Sequence, residues 1–111
     1  MKKTIIYTLM IAAMFLVGLS SLSAQATYVS NDQAIVLLEV EAASLYDGYT
    51  TTSDKDVLMY VTNRVLERLV GNLPIMLALS QSEQLADIAY PQDKILIDDI
   101  IAKMDTAFIQ N

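Results

Sequence analysis

Residues 32–46 read DQAIVLLEVEAASLY, and the fold class turns on whether they coil or extend. Coiled, they put Ile35, Leu38, Ala42 and Leu45 on one stripe at helical spacing. Val36, Leu37 and Val40 then lie elsewhere around the axis, so the helix is apolar nearly all round. Such a helix belongs in the centre of a bundle or at an interface between copies. Extended, residues 34–42 alternate through LEVEA, and their β-branched members suit a strand. Length, the Ala42–Ala43 pair and an upstream cap select the helix. Ser30 stands three residues before Gln33, the spacing of a capping box in which side chains satisfy orphan backbone donors.

The helical pattern repeats downstream. Residues 46–56, YDGYTTTSDKD, break it. Gly48 is expected to take a positive φ and end the first helix, while Ser53 or Asp54 caps the second. In residues 56–70, Leu58, Val61, Val65 and Leu69 form an inner stripe, and Asn63, Arg64, Glu67 and Arg68 point outward. Gly71 and Asn72 stop that helix, and Pro74 suits the first turn of a third. Residues 74–90 read either as one helix or as two pieces hinged at Ser80–Ser82, with Ser82 as a fresh cap. After Pro91, Ile97, Ile100, Ile101, Met104 and Phe108 share a face. Lys94–Asp98 and Asp99–Lys103 are i,i+4 ion pairs, worth about 0.2–0.5 kcal/mol each. The expectation is therefore an all-α fold, a small single-domain helical bundle of about four helices. A strand at 34–42 would make it α+β.

Upstream, Lys2 and Lys3 precede an apolar run from Ile5 to Gly18, and no further charge occurs before Asp32. Ser20, Ser21 and Ser23 follow, and then Ala24 and Ala26 in A-x-A spacing. A basic start, a short apolar stretch and small residues before a cut are the marks of a secretory signal peptide. Residues 1–26 are read as that peptide, cleaved after Ala26, with a cut after Ala24 as the alternative. The run is too short for a membrane anchor and nothing basic follows it. Without cysteine the chain cannot be an acylated lipoprotein. The product, residues 27–111, is expected to be a single helical domain in the periplasm or outside the cell. It has no stable membrane span after processing, and Thr27 to Asn31 form a frayed lead-in.

Cleavage changes the charge account. The whole chain carries a net charge of −6, but the leader removes two lysines and no acid. Five basic residues then face 13 acidic ones, a net charge of −8. The mean hydropathy of +0.41 owes much to the leader. So acidic a surface repels nucleic-acid phosphates and anionic lipid, so no nucleic-acid partner is expected.

The residue inventory narrows the chemistry. With no His and no Cys, the commonest general base, the thiol nucleophile and the usual zinc, copper and haem ligands are missing. The glycines at 18, 48 and 71 cannot form a phosphate-cradling loop. Asp98 and Asp99, like Glu39 and Glu41, are helix neighbours whose side chains diverge. Asp47, Asp54 and Asp56 lack the order of a calcium loop and are read as turn and helix-start residues. Met59, Met76 and Met104 are assigned to core gaps. Tyr46 and Tyr49 flank the turn, each ring covering one end of the bundle with its hydroxyl reaching water. They are also the candidate contacts for a partner. No cofactor and no catalytic residue is assigned. The expected role is non-enzymatic, binding an unknown protein partner or a second copy of the chain as a homo-oligomer. A periplasmic holdase or apolar-ligand carrier is the alternative. A carboxylate-dependent hydrolase, needing two converging acids, is the remote one.

Overall fold

The computed structural model describes residues 27–110. The expected cleavage site at Ala24 and Ala26 lies outside the described residues. Four helices follow in order: α1 Asn31–Gly48, α2 Thr52–Val70, α3 Ile75–Ala89 and, after a 3-10 turn at Pro91–Asp93, α4 Lys94–Phe108. The fold is an all-α bundle, and residues 34–42 are helical. Connections this short make consecutive helices antiparallel neighbours. The ring closes where α4 packs on α1, and α2 also touches α4 across the diagonal.

Local chemistry explains the helix ends. Ser30 caps α1 by accepting from the Gln33 N–H at 3.2 Å. The α2 cap is Thr51, whose hydroxyl accepts from the Asp54 N–H at 3.1 Å. It thus precedes the expected Ser53 or Asp54, and those residues enter the first turn. Gly48 keeps a negative φ, and α1 ends because Tyr49 extends. Asn72 alone among the described residues has a positive φ, 66°. There the Asn72 N–H donates to Leu69 O and the Leu73 N–H to Arg68 O, both at 3.0 Å. These two bonds form a Schellman ending with asparagine in the left-handed position. The Asn31 side-chain amide joins this corner, donating to Leu73 O at 2.8 Å and Leu69 O at 3.2 Å. One side chain thereby ties the start of α1 to the end of α2.

Pro74 occupies the cap position ahead of α3, one place before the expected first turn. Residues 75–89 are one helix, without a hinge at Ser82. Ser82 is buried on the same stripe as Ala78, Leu79 and Ala86, so packing holds the segment straight through it.

The core is built on α4, which buries Ile97, Ile100, Ile101, Met104 and Phe108, and equally on α2. α2 adds Val57, Leu58, Val61, Val65 and Leu69. By contrast, α1 buries only Ala34, Leu38 and Ala42, so it is not the central helix. Two alanines let its backbone approach closely, and Ile35 and Leu45 sit half-buried at the edges. Met104 fills the core and Met76 packs against it, but Met59 is exposed.

Residues 27–30 are not frayed. Tyr28 bridges Ile109 in antiparallel fashion. The Val29 N–H donates to Phe108 O at 3.0 Å, and the Gln110 N–H to Thr27 O at 2.8 Å. The Tyr28 hydroxyl donates to buried Asp105. Burial, this bond and the carboxylate charge all raise the Tyr28 pKa. Helical periodicity carries no signal for this pairing, because it joins opposite ends of the chain.

Candidate functional site

Because α1 seats itself on Ala34, Leu38 and Ala42, its other apolar residues turn outward. Val36 is 58% exposed and Val40 63%. Beside them a shallow groove of about 320 Å³ runs between α1 and α2. Ala42, Ala43, Tyr46 and Met59 supply its apolar lining, and Glu39 and Asp47 its acids. Thr62 also lines it, with a hydroxyl shielded from solvent and unpaired among the described residues. Tyr46 and Met59 are 41% and 43% exposed, so the groove and the two valines all present apolar atoms on the solvent side of α1 and α2.

The two candidate tyrosines part company. Tyr46 opens onto this groove, with Lys55 Nζ 4.8 Å from its ring centre. Tyr49 packs against the core. Its hydroxyl is shielded from water and has no hydrogen-bond partner among the described residues. Burial first, and then the Asp99 charge, raise its pKa.

Carboxylates are arranged differently from their order in sequence. Glu39 lines the α1–α2 groove, whereas Glu41 lines a separate depression with Lys103 of α4. Asp98 and Asp99 also diverge: Asp99 accepts from Lys103 at 2.6 Å, while Asp98 turns toward α3. There Glu83 shares a hydrogen bond with Asp98, and Asp87 and Lys94 add their charges. Lys94 Nζ lies 3.5 Å from Asp98 and 3.6 Å from Asp87. Burial, the Asp98 bond and the neighbouring carboxylates push Glu83 up to about 7. Below neutrality Glu83 therefore holds a proton and donates it to Asp98. Two acids do converge, on the neighbouring helices α3 and α4, but none of the three grooves described in this section includes either of them.

A further depression, of about 660 Å³, lies at the start of α4, lined by Asp54, Asp93, Asp99, Lys94, Ile95 and Leu96, among others. Asp54 faces it, while Asp47 faces the α1–α2 groove, so the acids of residues 47–56 do not gather. Among the described residues no group of three acids is placed to hold a metal ion, and no helix is long and apolar enough to cross a membrane.

The apolar α1–α2 face with its acidic edge is a feature that folding does not account for. A valine pair spaced i,i+4 in open solvent contributes nothing to the core, and contiguous exposed apolar surface marks interaction sites. Comparison with protein families, with curated proteins and with solved structures finds no match to this chain.

Proposed function

We propose that this chain is exported, cut after Ala26, and acts as a non-enzymatic module that binds another protein through the α1–α2 face. The observation that carries the reading is the exposure of Val36, Val40, Tyr46 and Met59 on α1 and α2. Export rests on the basic start, the short apolar run and the A-x-A spacing ahead of Thr27. Cleavage there is compatible with the fold, since Thr27 O accepts from Gln110 and the Val29 N–H donates to Phe108 O, bonds made by residues that the cut retains. Within the chain, Glu83 and Asp98 are set toward each other and toward Lys94, which supports a structural role for them.

Two measurements test the reading. Mass spectrometry of the protein from the periplasmic and extracellular fractions should give Thr27 as the first residue. A photo-crosslinking amino acid at Val40 should capture a defined partner segment in the native cell, whereas one at exposed Gln92 should not. Capture of many unrelated segments would instead indicate a holdase. Retention of residues 1–26 on the exported protein would overturn the processing step.

A further inference from the structure

We infer that the occupant of the α1–α2 face is a basic amphipathic helix of another protein. This rests on the reading that the face binds protein, and adds the chemistry of what binds.

The charges on α1 are one-sided. Its 18 residues include Asp32, Glu39, Glu41 and Asp47 and no lysine or arginine. Glu39 and Asp47 stand in the groove itself, next to Tyr46 and Met59. The nearby cation, Lys55, lies over the Tyr46 ring. An incoming apolar ridge therefore meets carboxylates on its way in, and a ridge flanked by lysine or arginine gains where an acidic one is repelled.

The same charges argue against a second copy. A two-fold pairing sets each surface against itself, which here brings α1 carboxylates against α1 carboxylates, while the cation nearby, Lys55 of α2, is already engaged over its own Tyr46 ring. The domain as a whole carries five basic and 13 acidic residues, so long-range repulsion adds to the local term. The geometry also selects a helix as the guest. The face belongs to two helices whose backbone groups are bonded internally, so it offers side chains and no strand edge. Its apolar points repeat at i,i+4 in Val36 and Val40, and a helix presents matching anchors at i, i+3 and i+4.

The test uses the purified protein and two fluorescein-labelled peptides of about 14 residues, roughly four helical turns. One alternates leucine with lysine at amphipathic-helix spacing, and the other replaces every lysine with glutamate. The Leu/Lys peptide should bind, and the Leu/Glu peptide should bind at least about tenfold more weakly. Val40→Ser with Met59→Ser should weaken Leu/Lys binding by about tenfold or more, the effect expected of central anchors. Glu39→Gln with Asp47→Asn should weaken it several-fold and flatten its salt dependence. All four side chains are exposed or at the groove rim, and circular dichroism verifies that each variant keeps its helices. Equal binding of both peptides, or undiminished binding by both variants, overturns the inference. So does a dimer in light scattering that the Val40→Ser, Met59→Ser variant abolishes. The crosslink at Val40 separates the two levels: a captured acidic or uncharged segment overturns the basic-helix inference alone, and no captured protein overturns the protein-binding reading as well.

Discussion

Tyr28 and Asp105 meet across the two ends of the domain, the phenol donating to Asp105 Oδ1 at 2.5 Å between residues 77 apart in sequence. The bond is short because the acceptor is an acid, and its partner is drawn into the fold with it. Asp105 is only 3% exposed, so the donor has structural weight. Tyr28→Phe keeps the ring and removes the hydroxyl, and should cost about 1–3 kcal/mol, the range for a bond to a charged, buried group. Urea unfolding measures it, and a loss below about 0.5 kcal/mol would assign the clamp to the backbone bonds instead. The raised tyrosine pKa has a definite sign. Its contribution is full below pH 10.0, the ordinary tyrosine value, and is lost as alkali ionises the unfolded chain first.

The placement of α1 predicts a contrast between residues two apart. Leu38 is fully buried and Val40 is open to solvent. Leu38→Ala should destabilise by about 2–5 kcal/mol, the cost of a buried cavity, while Val40→Ala should stay within about 0.5 kcal/mol. A similar loss at both positions would mean that α1 is turned differently or covered on its outer face. Thermal unfolding of the two variants decides it.

Backbone conformation at the two helix ends predicts opposite responses to similar changes. Gly48 has a negative φ, and a Cβ there would meet nothing within 4 Å. Gly48→Ala should therefore stabilise by about 0.4–1 kcal/mol through the unfolded chain. Asn72 is left-handed, so Asn72→Ala should cost about 1–2 kcal/mol, while Asn72→Gly should be neutral or better. Chemical denaturation of all three variants checks the signs together.

Glu83 predicts a loss of stability between acid and neutral pH. Its folded pKa is raised from 4.5 to about 7, so the folded chain holds this proton more tightly than the unfolded one. The contribution is complete below 4.5 and is lost progressively as pH rises to about 7, beyond which it changes no further. Glu83→Gln keeps a donor for Asp98 without the titration. It should flatten this window and stabilise above neutrality by on the order of 1 kcal/mol, since solvent screens a half-buried pair. Midpoints of denaturation from pH 4 to 8 for both proteins test it, and an unchanged slope in the variant would place the titration elsewhere.

Local rules made the helices readable. Periodicity located α2 and α4 with their inner faces, the Ser30 cap fixed the start of α1, and the Lys94 and Lys103 pairs followed from i,i+4 spacing. Decisions that depend on packing were less readable. The stripe Ile35, Leu38, Ala42, Leu45 has the right period, but the core takes Ala34 in place of Ile35 because a smaller residue allows α1 to approach closely. Thr51, Ser53 and Asp54 all have capping side chains, and only the bundle's need for a full-length α2 chooses among them. Ser82 reads as a cap until its neighbours Ala78, Leu79 and Ala86 prove to be buried on one stripe. Pairings between distant segments had no local signature: Tyr28 with Asp105, Glu83 with Asp98 and Asn31 with the end of α2. At the candidate face, the excess of apolar residues on α1 was evident from sequence, and of the two candidate tyrosines Tyr46 opens onto the groove while Tyr49 packs against the core. Which residues would be exposed, and that Met59 would join them, required the helix's rotation.

The bond from Gln110 to Thr27 O also bears on timing. A chain delivered from its N-terminal end presents Thr27 to Val29 first, and these residues have no partner until Phe108 to Gln110 arrive. The helices can pack pairwise as they emerge, because their contacts are mostly between neighbours, but this closure waits for residues 108–110. A truncation near residue 108 should thus leave helices that form without a bundle that locks. Residues 108–110 thus act as a latch on residues 27–29, and in synthesis from the N-terminal side that latch forms after the four helices.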